Sequence, residues 1–182
     1  MNRTATQYEA ADRPLTETLD AVPPTGWTRP SPCEGWSAAD VVGHLIETQR
    51  EFLTTHGVDL GEAPDVPAEP AAAWRDHAKR VAEALADDAV PAREFDGFFG
   101  PTTVGAAFEQ FYVWDMLVHR WDVARAVGAD GTLTDDELDR IEAGADSFGA
   151  ALYMDGICRP AVEVPENAGR DVRALARLGR AV

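Results

Sequence analysis

The stretch from Phe108 to Ala126, FEQFYVWDMLVHRWDVARA, constrains this chain more than any other. Read as a helix at about 100° per residue, it brings Phe108, Asp115, His119 and Ala126 within about 20° of one line, with Phe111, Tyr112, Asp122 and Val123 beside them. An apolar stripe of this kind faces a core, yet two of its central places hold a carboxylate and an imidazole. A buried carboxylate without a partner is costly, so the fold must supply something to compensate it. The i, i+4 spacing sets Asp115 and His119 on adjacent turns of one face, where both can reach a single metal ion. Spacing alone leaves a second reading open: a buried Asp115–His119 ion pair with another side chain packed against it.

The rest of the chain is patterned for helices too. Leu15, Leu19 and Val22 recur at helical spacing. Pro14 is tolerable in a first turn, which predicts a start at Asp12 or Arg13 and leaves residues 1–11 as a frayed lead-in. A start near Thr4 instead requires a kink at Pro14, and Pro23-Pro24 ends the helix either way. Residues 25–36, TGWTRPSPCEGW, form a connection whose Trp27 and Trp36 are expected to pack the loop onto the bundle. Ser37, with Asp40 three residues on, opens a helix to about Thr55. Its broad apolar face holds Val41, Val42, Leu45, Ile46, Gln49, Phe52 and Leu53, with His44 beside it. Residues 57–69 read as loop and Pro70 to about Asp87 as an Ala-rich helix.

Residues 90–101 contain a short extended piece before Thr102 or Thr103 caps the central helix, which Gly128 ends. Thr134 with Glu137 is a capping box opening a fifth helix, Asp135 to about Met154. RDVRALARLGR in the tail reads as a short helix docking back. The expectation is one all-α domain over residues 1–182, a four-helix bundle with extra C-terminal helices.

Composition narrows the partners. At 182 residues the length suits one core, and the formal charge of −16 disfavours nucleic acid and anionic membrane alike. No uncharged apolar run is long enough to span a membrane, and the N-terminus lacks a secretion signal, so a cytoplasmic location is the default. Cys33 and Cys158 are too few for a disulfide framework or a thiolate-rich zinc site. Lys79 is the only lysine among many arginines, a bias that suits a high-GC bacterial genome.

Of four histidines, His56 beside Gly57 reads as a cation at a helix end. His77 reads as a partly exposed residue at the core edge. His44 and His119 lie within or beside interior stripes of different helices, which is how bundles build metal sites. Asp122 faces inward and suits the orienting of His44 or another group, or a hydrogen bond to loop backbone. Cys33, between Pro32 and Glu34 with no adjacent histidine, reads as structural.

Two segments carry a resemblance. PSPCEGWSAADVVGHL and VWDMLVHRWDVARAVG, in that order and spacing, resemble signatures of the DinB-like and mycothiol-dependent maleylpyruvate isomerase superfamily, and RDVRALARLGRAV looks like the end of one of its branches. The resemblance implies a DinB-like bundle holding one divalent metal, zinc or nickel, on His44, Asp115 and His119. It also implies mycothiol or another low-molecular-weight thiol as cosubstrate. The family's acidic ligand is glutamate or is replaced by histidine. Asp115 is shorter than glutamate by one methylene, so the metal should sit nearer the central helix or be reached through water. Two imidazoles and a carboxylate suit zinc, nickel or ferrous iron and leave open positions.

The function expected on this basis is a metal- and thiol-dependent transferase or isomerase acting on a small electrophilic molecule. Tyr112, one turn before Asp115, suits plain core packing first, and otherwise the donation of a proton or the lining of the pocket. The alternatives are a non-catalytic metal-binding module with a stress or sensing role, and a metal-assisted hydrolase with Asp122 as general base. A homodimer suits such a fold, although nothing in the sequence demands one.

Overall fold

The structure, a computed structural model, describes residues 2–181. Helix α1 spans Arg3–Asp20, nine residues longer at its start than Pro14 suggests. Asn2 caps it, its side chain accepting from the Ala5 amide at 2.9 Å. Pro14 therefore lies inside the helix. The carbonyl it leaves without a donor belongs to Ala10, on the exposed side, while Thr4, Ala5, Tyr8, Ala11, Leu15 and Leu19 keep the buried stripe continuous. Residues 3–11 are thus core-forming helix, not lead-in.

Helix α2 is Ala38–Thr55, with the capping box of Ser37 and Asp40 closed in both directions. Helix α3 is Pro70–Leu85, with Pro70 in its first turn. Strands β1 (Glu94–Gly97) and β2 (Gly100–Thr103) form an antiparallel hairpin in which Gly97 faces Gly100. Thr103 then caps α4 (Val104–Ala107), which runs without a break through a π-helical segment, Phe108–Val113, into α5 (Trp114–Val127). Gly128 ends α5 in the left-handed conformation at φ 72°. Helix α6, Asp135–Phe148, starts on the Thr134–Glu137 capping box and stops short of Met154, where Gly149 breaks it into a 3₁₀ turn over Gly149–Tyr153. Helix α7 is Arg170–Arg177.

The all-α expectation holds, with the hairpin as a small addition. Helix α1 packs against α3 and α5, and α2 against the same two, so the four close a bundle in which α1 and α2 lie on opposite corners. Its interior is filled by Tyr8, Leu15, Leu45, Leu53, Trp74, Leu85, Phe108 and Met116, all essentially without exposure. Helix α6 covers the outer side of α5, and α7 covers α6. Gly144 makes that cover close: a methyl group there would lie 2.1 Å from Cδ1 of Trp114. No helix among the described residues is long and apolar enough to cross a membrane.

His77 is fully buried, not at the core edge, and its Nε2 meets Oε1 of Gln49 at 3.0 Å. Burial, with Arg50 adding to it, lowers its pKa to about 3, so it stays neutral and donates to the amide oxygen. The sequence places both residues on apolar faces. Their side chains turn to each other and satisfy one polar atom of each, while Gln49 Nε2 and His77 Nδ1 stay buried without a partner.

This packing has two measurable consequences. Gly144→Ala, which in an open helix stabilises by up to about 1 kcal/mol, is expected here to destabilise by about 1–3 kcal/mol in urea unfolding, because the Trp114 ring must move. Unfolded chains protonate His77 below the ordinary 6.5 whereas the folded chain resists down to about 3, so this residue's contribution falls as pH drops through that window. Between pH 7 and pH 5 the wild type should lose about 2 kcal/mol more than His77→Gln, measured by urea unfolding at both pH values.

Candidate metal centre

Three side chains from two helices converge at one end of the α2–α5 contact. His44 Nε2, from α2, lies 3.2 Å from Oδ2 of Asp115, and His119 Nε2 lies 3.2 Å from Oδ1 of the same carboxylate. One ligand atom from each of the three lies within 4.8 Å of the others. The imidazoles stand edge to face at 5.2 Å, and Trp36 covers His44 at 4.8 Å. The loop tryptophan expected only to pack is thus a wall of the site. A cavity of about 550 Å³ opens onto the cluster, bounded by Trp36, Phe111, Tyr112, Phe148, Cys158 and Arg180 among others.

The π-helical segment decides what faces this cavity. A π turn inserts an extra residue per turn and rotates the helix before it relative to the helix after it. Phe108, expected in line with Asp115 and His119, is therefore buried in the core, while Phe111 and Tyr112 come to line the opening. Burial, with the charges of Glu51 and Asp115, pushes the Tyr112 phenol up to about 12, so it stays protonated.

Behind His119 lies a second carboxylate. Asp122 has no exposure; its Oδ2 sits 2.8 Å from His119 Nδ1 and 2.8 Å from Nη2 of Arg180, and its Oδ1 accepts from Arg180 Nε at 3.3 Å. The Cys33 thiol donates to the same Oδ2 at 3.4 Å. Burial alone would raise the Asp122 pKa, but His119 and Arg180 hold it down at about 2. Asp122 thus orients His119, not His44.

This fixes the electronics of the cluster. An ionised Asp122 accepts the Nδ1–H of His119, and a neutral imidazole then turns the Nε2 lone pair toward the Asp115 carboxylate. Two electron-rich atoms 3.2 Å apart need a proton or a cation between them. The charges around the pair favour a proton there. Burial disfavours charge on His119, but Asp115 raises its pKa well above the ordinary value, and His119 with His44 in turn holds Asp115 below the usual carboxylate range against its own desolvation. The donor set, two imidazoles and a carboxylate with a carboxylate behind one ring, could hold a divalent metal and fits the chemistry of zinc, nickel or ferrous iron.

Tyr112 lines the cavity and His56 lies outside it. His56 is the C-cap of α2, as its place beside Gly57 suggests; its ring packs on Phe52 and Phe95 at 4.5 and 4.1 Å, and burial lowers its pKa.

Residues 8–124 match the family described as "Mycothiol maleylpyruvate isomerase N-terminal domain". The chain belongs to this family. His44, Asp115, His119 and Asp122 all fall in the matched segment, whereas Arg180 and Cys158 lie beyond it. Two curated proteins from two strains of Mycobacterium tuberculosis, named "Uncharacterized protein MT0041" and "Uncharacterized protein Rv0036c", are each 29% identical over 142 residues, covering 64% of this chain and 54% of their own length. The chain thus spans about half the length of the curated relatives it matches. No solved structure matches it.

Cys33 and Arg180 are the site residues that local sequence reasoning missed. Cys33 has no partner nearby in sequence, and Arg180 belongs to a tail whose helical pattern says nothing of where it lands. Gly179 lets it land: at φ 78° it lies so close to the Arg159 backbone that a Cβ would be 2.8 Å from the Arg159 carbonyl oxygen. Arg180→Ala strands a buried carboxylate and is expected to cost about 3–5 kcal/mol in urea unfolding. The double variant Asp122→Asn, Arg180→Met should recover most of that loss, since it removes both charges.

Proposed function

We propose that this protein is a divalent-metal-dependent thiol transferase or isomerase, acting on a small electrophilic molecule with mycothiol or a related low-molecular-weight thiol. His44, Asp115 and His119 are the metal ligands in this reading. The observation that carries it is the convergence of His44, Asp115 and His119, one ligand atom of each within 4.8 Å of the others, with Asp122 engaging the second nitrogen of His119. A divalent ion held by these residues would supply Lewis acidity, which favours the thiolate form of a thiol near neutral pH.

The chain's own groups do the rest. Asp122, anchored by Arg180, holds the His119 ring in place and fixes its tautomer. Trp36 holds the His44 ring from the loop side. Tyr112, protonated and on the cavity wall, is a hydrogen-bond donor for an oxygen of the electrophile as negative charge develops on it. The cavity is of the size that small-molecule sites commonly have. Family membership supports the thiol, because the family's description names mycothiol. A hydrolytic reading needs a general base at the cavity surface. Asp122 is a poor candidate, being sealed behind His119 and already paired with Arg180.

Elemental analysis of the purified protein is expected to find about one zinc, nickel or iron per chain, lost in His119→Ala and in His44→Ala. Asp122→Asn should keep the stoichiometry but weaken metal affinity by about 10–100-fold. Calorimetric titration with mycothiol should show binding to the loaded protein and none to the stripped one. Metal retained by His119→Ala would overturn the site, and a metal-loaded protein indifferent to thiol would leave a binding module without this chemistry.

A further inference from the structure

A second hollow, of about 380 Å³, lies between the hairpin tip and the π-helical segment. Its walls are Phe52, Phe95, Phe98, Phe99, Phe111 and Tyr112, and its few polar lining groups are His56, Gln110 and Thr102. No Asp, Glu, Lys or Arg lines it, on a chain whose formal charge is −16. Burial lowers the His56 pKa there, which disfavours its charged form. Phe111 and Tyr112 line this hollow and the metal-site cavity alike, so the two adjoin across that pair of rings.

The hairpin tip gives the hollow its outer wall at a cost to the fold. Gly97 pairs with Gly100, so the turn itself is Phe98-Phe99, where two-residue turns favour Asn, Asp and Gly. Both rings stay largely in water, at 68% and 51% exposure. Phe99 lies parallel to Phe111, within 2°, at a centroid distance of 6.2 Å, with one face toward the hollow's inner wall. Nothing in the fold repays that exposure, and exposed aromatic groups beside a concave apolar surface mark a binding site.

We infer that this trough binds a flat, uncharged aromatic arm of the small-molecule substrate, seated in the hollow against the rings of Phe52, Phe95, Phe99 and Tyr112, with its other end directed at the metal centre. The concave shape, the small volume and the shared wall with the metal-site cavity favour a small molecule over a protein surface. The reading rests on the proposed function for which end of the ligand reacts, and on the trough alone for which end binds here.

The neutral fluorophore N-phenyl-1-naphthylamine probes the trough without needing the metal. It is expected to bind the intact chain with one molecule per protein and enhanced emission. Phe99→Ala should weaken binding about tenfold, and Phe98→Ala should weaken it less; both exposed positions leave the helical circular dichroism unchanged. His119→Ala should bind the probe like the wild type. Unaltered binding in Phe99→Ala overturns the inference. So does a dimer in analytical ultracentrifugation that Phe99→Ala dissociates and the probe does not, since the tip would then be a self-association surface. Titration with 2-(1-naphthyl)ethanethiol separates this inference from the function it refines. A thiol head that tightens binding only in metal-loaded protein supports both. A head that adds nothing counts against the thiol chemistry and leaves the arm site standing or falling on the Phe99→Ala result.

Discussion

A carboxylate removed from water has to be met by positive or donating groups, and α5 carries two such carboxylates one turn on either side of a single imidazole. Asp115 and Asp122 both bond His119, one at each ring nitrogen. Neither arrangement is stable alone. Asp122 requires Arg180 and the Cys33 thiol to complete its shell, and Asp115 requires His44 from the opposite helix. The pairing of α2 with α5, the placement of the 25–36 loop and the docking of the C-terminal tail thus serve one condition, that charge buried on α5 be matched from three other parts of the chain. Packing alone would tolerate small shifts between these parts. Fork geometry between a guanidinium and a carboxylate does not.

The two halves of this arrangement differ in what they can do. On the Asp122 side every acceptor is occupied by a fixed donor, the pocket is closed, and the net effect is to immobilise the ring. On the Asp115 side the carboxylate is shared by two imidazoles, with Trp36 and the cavity next to it. A site built to bind a cation has this asymmetry: a rigid rear and an open front. The family-matched segment supplies the front and the rear carboxylate, while the counter-charge for that carboxylate comes from Arg180, outside the match. The tail is therefore part of the site's electrostatics in this chain and not an appendage.

Much of this is legible in the sequence, for reasons that can be named. The Asp115–His119 spacing on an interior stripe is a local signal, and a second interior histidine, His44, on a capped helix completes it once two helices are known to face each other. Capping boxes at Ser37–Asp40 and Thr134–Glu137 mark helix starts because their chemistry is contained within four residues. The failures are non-local. Pro14 outweighs the stripe Thr4, Ala5, Tyr8, Ala11 in a local reading, although its unpaired carbonyl falls on the solvent side, where it costs little. His77 reads as an edge residue until Gln49 of another helix turns to meet it. Cys33 and Arg180 meet only through the tertiary fold, and no periodicity in either segment encodes that meeting.

The π-helical segment links the core to the chemistry. Without it, Phe108 would point along the line of Asp115 and His119, with Phe111 and Tyr112 flanking that line. One inserted residue sends Phe108 into the core against Tyr8, at 5.9 Å, and swings Phe111 and Tyr112 to the cavity wall. An α-helical hydrogen bond is a small loss when both flanking helices are held by packing, and irregular turns of this kind recur where a side chain must be re-aimed. The sequence FEQFYV has no glycine or proline to announce the irregularity. What marks it is the packing it allows: Phe108 and Met116 are both wholly buried, while Phe111 and Tyr112 face the cavity.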